Sequence, residues 1–362
     1  MRKKKIALLT GGGDAPGLNA VIYALVRTSI AKYKCELIGY RFGYRGLYTN
    51  DFMELDMKAI SGILHRGGTI LYSSNKDNLF DYNVEDRGQT VKRDVSDVAV
   101  ENLKKDGVDA LCILGGDGTL TSARDLYNKG VRAVGVPKTI DNDLSYTEQT
   151  FGFATAIDTA TDAIDKLHST AESHHRVMIL EVMGRNAGWI ALHAGMAGGA
   201  DVILIPEIPY SIDSVIDSLK KRKEQGKNFS IIVVAEGAKP KGGDVVVSKI
   251  VDNSPDPVRL GGIGMKVGTD IEAVTGIETR VTVLGHLQRG GRSNAADRVL
   301  STRYGVAAVD LINKNCFGQM VCLHGATISS IPISDAVGTI KTVDPNCELV
   351  TAAKSIGLTF GD

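Results

Sequence analysis

Ala110-Leu-Cys-Ile-Leu-Gly-Gly-Asp-Gly-Thr119 is an unbroken apolar run that ends in glycines and a carboxylate, then leads through Leu120 into the helix-length segment TSARDLYNKG. A continuously apolar strand, rather than an alternating one, suits a parallel sheet covered on both faces. The same reading applies to IALLT (6–10), AVGVP (133–137), VMILEV (177–182), SIIVVAEG (230–237) and VTVLGH (281–286), each bounded by Gly, Pro or Asp. Such strands alternating with helix-length segments predict right-handed strand–helix–strand units and a doubly wound α/β architecture. Ligands of these sheets bind beyond the carboxyl ends of the strands, and the unusual residues of this chain fall there.

At 362 residues the chain exceeds most single cores and is expected to form two lobes, with a break near residue 150. Lys+Arg and Asp+Glu balance at 42 each, so no global field recruits nucleic acid or a membrane surface. No apolar run approaches the roughly 20 residues that span a bilayer. The opening MRKKKIALLTGGGD reads as a basic leader into a first strand, because glycines and Asp14 cut the apolar run short of a signal peptide. Cys35, Cys112, Cys316, Cys322 and Cys347 are odd in number, scattered and free of CxxC spacing, so a reduced, cytoplasmic chain is expected.

Three segments carry chemistry. Thr10-Gly-Gly-Gly-Asp-Ala-Pro-Gly-Leu-Asn19 follows a strand and precedes AVIYALVR. Its glycines let backbone N–H groups approach a phosphate at a helix start, although a ligand-free tight turn needs the same residues. In Gly115-Gly-Asp-Gly-Thr119 the glycines offer a second cradle and Asp117 a hard oxygen for Mg²⁺, the cation that phosphate donors need; a plain capped helix start is the other reading. Pro137-Lys-Thr-Ile-Asp-Asn-Asp143 puts two carboxylates two residues apart at a strand end. Like charges this close raise one proton affinity, which suits one of them to accept a hydroxyl proton, unless the loop is merely acidic and solvated.

Gly-Gly-Asp-Gly-Thr followed some twenty residues later by Pro-Lys-Thr-Ile-Asp-Asn-Asp resembles the 6-phosphofructokinase family. The similarity continues in His174-His-Arg-Val-Met-Ile-Leu-Glu-Val-Met-Gly-Arg185, Ala235-Glu-Gly237, Glu278-Thr-Arg280 and Val283-Leu-Gly-His-Leu-Gln-Arg-Gly-Gly291. It implies the phosphofructokinase fold, two Rossmann-like lobes with mainly parallel sheets. The phosphate-donor lobe would be 1–150 plus about 288–338, and the fructose 6-phosphate lobe about 151–287 plus 339–362. The implied reaction moves a phosphoryl group onto the 1-hydroxyl of fructose 6-phosphate.

By this resemblance Asp141 is the general base, Asp143 orders the site and its metal water, and Thr139 hydrogen-bonds the transferring group. Arg185 resembles the arginine that bridges donor and acceptor phosphates, while Met183 and Gly184 shape the sugar pocket. Arg176, Arg280, His286 and Arg289 are expected on the 6-phosphate, since planar guanidinium donors match phosphate oxygens. Family equivalents of Arg176 and Arg280 reach in from an adjacent subunit, which implies a homo-oligomer, tetramer or dimer, with shared sites. Glu236 is expected to accept from sugar hydroxyls. On the nucleotide side the resemblance covers Gly13, Gly116, Asp117 as metal ligand, Gly118, Thr119, and Tyr44 packing on adenine. Trp189 reads as a core or interface residue.

Two positions separate ATP from pyrophosphate users in the family. The pyrophosphate type carries Asp where this chain has Gly118, and Lys where it has Lys138. An Asp at 118 would fill and charge the place of a nucleotide α-phosphate, whereas Lys138 is compatible with either donor, so ATP is expected. The pyrophosphate-dependent enzyme is the alternative, and a catalytically silent phosphosugar-binding subunit a more distant one. Asn75 stands where simple ATP-dependent bacterial enzymes have an arginine, with Lys76 following it. Tyr23 and Met57 replace arginines of their effector pocket, which predicts an enzyme without that regulation.

Overall fold

Strand Lys5–Thr10 sends Ile6 and Leu8 into one apolar cluster and Ala7 and Leu9 into another, and all four are fully buried. Alternate side chains that meet two cores require helices on both faces of the sheet, which is why the run lacks polar alternation. The computed structural model describes residues 2–86, 88–251 and 257–362. It places this strand in a seven-stranded sheet ordered Thr327–Pro332, Gln319–His324, Ala133–Pro137, Ala110–Gly115, Lys5–Thr10, Glu36–Tyr40, Phe52–Glu54. The inner strands are parallel, and each edge strand is antiparallel to its neighbour.

Helices Leu18–Ala31 and Ala295–Asn313 cover one face. They approach so closely that a Cβ on Gly305 would lie 2.8 Å from the Cβ of Ala24. Helices Ser96–Lys105 and Asp117–Asn128 cover the other through Ala99, Leu103, Leu120, Ala123 and Leu126. From Lys5–Thr10 the chain adds Glu36–Tyr40 on one side and Ala110–Gly115 on the other. Such a reversal of strand order opens a crevice at the carboxyl ends of the strands.

A second, wholly parallel sheet is ordered Thr279–Val283, Val177–Val182, Ser230–Ala235, Val202–Leu204. Helices Ile212–Glu224 and Ile263–Thr275 pack against it through Val215, Ile216, Leu219, Ile263, Val267 and Ile271. The expected strand VTVLGH stops at Val283, and Gly285–Gln288 is a 3₁₀ turn.

The chain divides into two units. One takes the residues up to Ala154 together with Arg289–Ile340; the other takes the described residues from Thr155 to Gln288 and Lys341–Asp362. The sequence placed the breaks at 150, 287 and 338. All five cysteines are unpaired. No helix among the described residues is long and apolar enough to cross a membrane.

Candidate active site

Parallel register puts Thr10 beside Leu114 and Gly115 beside Pro137, so three strands end side by side and their loops converge. The first loop turns at Gly12, whose φ of +78° favours glycine. The Gly12 N–H donates to the Ser74 carbonyl at 2.9 Å, and a Cβ on Gly11 would come within 2.6 Å of the Thr119 side chain. The two glycine segments therefore pack against each other, which a larger residue at 11 would prevent.

The second loop starts helix Asp117–Asn128 at Gly116. Asp117 accepts the Gly338 N–H at 2.8 Å through Oδ1. A Cβ built on exposed Gly118 meets no atom within 4 Å, so the backbone there faces open space. Tyr44 is 3% exposed, and its hydroxyl donates to the Thr119 carbonyl at 2.7 Å. The ring thus packs in the core and braces Thr119 from behind.

The third loop carries the acid chemistry. The Thr139 hydroxyl accepts the Asp141 N–H at 3.1 Å and lies near enough to the Asp143 carboxylate to favour its charged form, so one side chain acts on both acids. Asn142 between them has φ +51°, and its amide is fixed by the Glu148 carbonyl and the Thr150 N–H. Oδ1 of Asp141 is buried and has no hydrogen-bond partner. Native buried acceptors are almost always satisfied, so this one marks a place for a substrate donor. Burial, then Asp143, push Asp141 up to about 6, against the pull of Arg289 and Lys138. Burial likewise raises Asp143, opposed first by the Thr139 hydroxyl.

Lys138 is 3% exposed and donates through Nζ to the Gly13 carbonyl at 2.5 Å. Burial, then Arg289, push this lysine down to about 8, while Asp14, Asp143 and Asp141 pull it back. Arg289 donates to the Asp14 carbonyl at 3.1 Å, and its Nη1 would lie 2.8 Å from a Cβ on Gly13. The structure therefore places Arg289 on the first glycine loop, among the groups that set the charge on Asp141. Two cations and four carboxylates beside two glycine loops suit a polyphosphate with its cation. Asp117 offers hard oxygen, and its charge is felt at Asp143. A Mg²⁺ completed by water and phosphate oxygens fits that set.

The second unit holds the other expected residues. Val182 pairs with Ala235, so Met183 and Glu236 follow neighbouring strand ends. The Met183 N–H donates to Oε1 of fully buried Gln288 at 2.7 Å. Gly184 sits at φ +136°, the Gly237 N–H donates to its carbonyl at 3.2 Å, and a Cβ on Gly237 would fall 2.0 Å from the Arg185 carbonyl. Arg185 is thus held by backbone that tolerates only glycine opposite it. Arg176 and Arg280 converge on Glu278, Arg176 Nε at 2.5 Å from one oxygen and Arg280 on the other. His286 is exposed in the 3₁₀ turn. Gln288 and Glu278 lay inside quoted motifs, but nothing in the sequence gave them partners. Trp189 is half-buried, and its indole N–H donates to the Lys341 carbonyl at 2.9 Å.

The profile of the family described as Phosphofructokinase matches residues 5–312. The ATP-dependent 6-phosphofructokinase 2 of Clostridium perfringens is 66% identical over 361 residues, 99% of this chain and 99% of that one. The pyrophosphate–fructose 6-phosphate 1-phosphotransferase of Streptomyces coelicolor is 48% identical over 358 residues, 99% of this chain and 100% of that one. Among solved structures, Pichia pastoris phosphofructokinase in the T-state superposes with a TM-score of 0.79 at 31% identity, over 99% of this chain. This chain spans 37% of that yeast chain, and 45% of the Saccharomyces cerevisiae phosphofructokinase chain, which superposes with a TM-score of 0.77.

Proposed function

The chain belongs to the phosphofructokinase family, and from that premise we propose that it transfers the γ-phosphoryl group of ATP to the 1-hydroxyl of fructose 6-phosphate. The products are fructose 1,6-bisphosphate and ADP, and the reaction is a step of glycolysis in the cytoplasm. The observation that carries the mechanism is the buried, unpartnered Oδ1 of Asp141.

In this reading the sugar 1-hydroxyl donates to that oxygen, and Asp141 takes the proton as the phosphoryl group arrives. A raised proton affinity brings the base closer to working pH while leaving it ionised there. Thr139 and Asp143 hold the base and the transferring group in line. Phosphoryl transfer needs little covalent help, so most of the remaining work is charge stabilisation. Lys138 and Arg185 supply it as cations, and the N–H groups of Gly13 and of Gly116 to Thr119 cradle the donor. Asp117 would hold Mg²⁺, directly or through water, and the ion when bound neutralises phosphate charge.

The sugar is assigned to Met183, Gly184 and Glu236, and its 6-phosphate to Arg176, Arg280, His286 and Arg289. A homo-oligomer, tetramer or dimer, is part of the proposal, with Arg176 and Arg280 serving a neighbour's site. Open space at Gly118 favours ATP, because it leaves room for an α-phosphate. Pyrophosphate is the second reading, favoured by Lys138 and by the name of the Streptomyces relative. Purified protein assayed with ATP–Mg²⁺ and with pyrophosphate–Mg²⁺ decides between them. Turnover preferring pyrophosphate overturns the donor assignment, and turnover with neither favours the silent sugar-phosphate binder.

A further inference from the structure

Glu207 lies just past strand Val202–Leu204, and no motif of the sequence singles it out. Its Oε1 accepts the Gly188 N–H at 3.0 Å and the Val343 N–H at 2.8 Å, while Oε2 lies 3.2 Å from the Gly188 nitrogen. Gly188 is buried and Val343 is 1% exposed, so without the carboxylate both amides would be orphaned away from water. Trp189 adds a parallel tie through its indole N–H on the Lys341 carbonyl, with the Lys341 Nζ 5.7 Å from the ring centroid. Residues 341–343 are thereby laced to 188–189 by one direct hydrogen bond and by the Glu207 carboxylate, which bridges an amide from each segment.

This lacing closes the turn that carries Arg185. At its near end the Gly237 N–H holds the Gly184 carbonyl; at its far end Glu207 holds Gly188. The segment between is short and tight, since a Cβ on Gly184 would lie 2.8 Å from the Ala187 carbonyl oxygen. Gly188 has no room to shift toward Glu207 with a larger side chain, because its Cβ would fall 2.4 Å from Ile205. Burial raises the proton affinity of Glu207, and the bonds from Val343 and Gly188 oppose that rise, as for a carboxylate engaged in its charged form.

We propose that Glu207 is a positioning residue for phosphoryl transfer, fixing Arg185 by accepting the N–H groups of Gly188 and Val343 together. The role rests on the phosphofructokinase reading for its catalytic consequence, but its structural half stands alone. Arg185 must meet charge that develops during transfer, and displacement of such a group by about 1 Å can cost on the order of a hundredfold in rate.

The test compares Glu207→Ala with Glu207→Gln, whose side-chain carbonyl still accepts from an N–H. Three readouts are taken on the full chain: amide exchange across 184–189, emission from the sequence's one tryptophan, Trp189, and kcat/KM for fructose 6-phosphate. Glu207→Ala is expected to speed exchange, shift the emission to the red and lower kcat/KM by about tenfold or more. Glu207→Gln is expected to stay within about threefold of wild type, because one acceptor remains. Should Glu207→Ala not fold, Glu207→Asp draws the carboxylate back by one methylene and carries the same expected direction. A kcat/KM within about twofold of wild type in the folded variant overturns the proposal, as does a Glu207→Gln loss equal to that of Ala. If the wild-type chain turns over no fructose 6-phosphate, the functional reading fails, and exchange with emission still decides the structural half.

Discussion

The ammonium of Lys138 donates to the carbonyl of Gly13 at 2.5 Å, tying the strand end that carries the acids to the first glycine loop. The lysine is therefore a strut as well as a charge. Lys138→Met should lower kcat/KM with ATP by about tenfold or more, the scale seen when one preorganised donor is lost. Pyrophosphate turnover, where measurable, should fall alongside it, since both donors use the same loop. A variant that loses one donor and keeps the other would refute the strut.

Asp141→Asn removes the proton acceptor and keeps the shape. Its kcat should fall by roughly 10²–10⁴, the usual worth of a general base. In the wild type, kcat/KM should decline on the acid side as pH drops through about 6, because burial and Asp143 raise this base. An acid limb near the ordinary carboxylate value would remove Asp141 from the role.

The same substitution should stabilise the protein. A carboxyl whose folded pKa is raised binds its proton more tightly folded than unfolded, so its stability contribution is full at low pH and lost as pH rises through about 6. At pH 8 the wild type therefore carries a penalty of roughly 1–3 kcal/mol that Asp141→Asn lacks. Thermal unfolding should show the variant ahead by a few degrees at pH 8, with the gap narrowing at pH 5. An unchanged Tm at pH 8 would show the buried charge to be fully compensated.

Gly118→Asp should leave the fold intact, because a Cβ there meets no atom within 4 Å. Its effect should appear in the donor: KM for ATP rising by about tenfold or more from repulsion with the α-phosphate, with Tm unchanged. Equal ATP kinetics in variant and wild type would move the nucleotide elsewhere.

Glu278 holds both Arg176 and Arg280. Glu278→Gln should let the two like charges separate, raising KM for fructose 6-phosphate by roughly threefold to tenfold with kcat nearly unchanged, as for loss of ground-state binding. A lower KM would show that Glu278 competes with the phosphate.

Much of the sheet was legible because its strands are buried on both faces. Ala110–Gly115, Ala133–Pro137 and Val177–Val182 coincide with the apolar runs that predicted them. The edge strand Phe52–Glu54 and the hairpin Tyr82–Asp86 with Gln89–Arg93 were not, since their partly exposed residues carry no continuous apolar signal. The three loops of the first unit were readable as glycine and acid at strand ends. What holds the site residues in place was not: Tyr44 braces Thr119 in the first unit, and in the second Gln288 holds Met183 and Glu207 holds Gly188, across 75, 105 and 19 positions of chain. No local pattern encodes such pairs, because each partner alone is an ordinary residue.

The open space beside Gly118 also bears on ancestry. A Cβ at 118 meets no neighbouring atom, and buried Lys138 is compatible with either donor. If Gly118 sets the donor as proposed, one substitution on this scaffold would exchange its energy currency, with no core to rebuild. Relatives of similar overall sequence can then bear names for different donors without any difference in architecture.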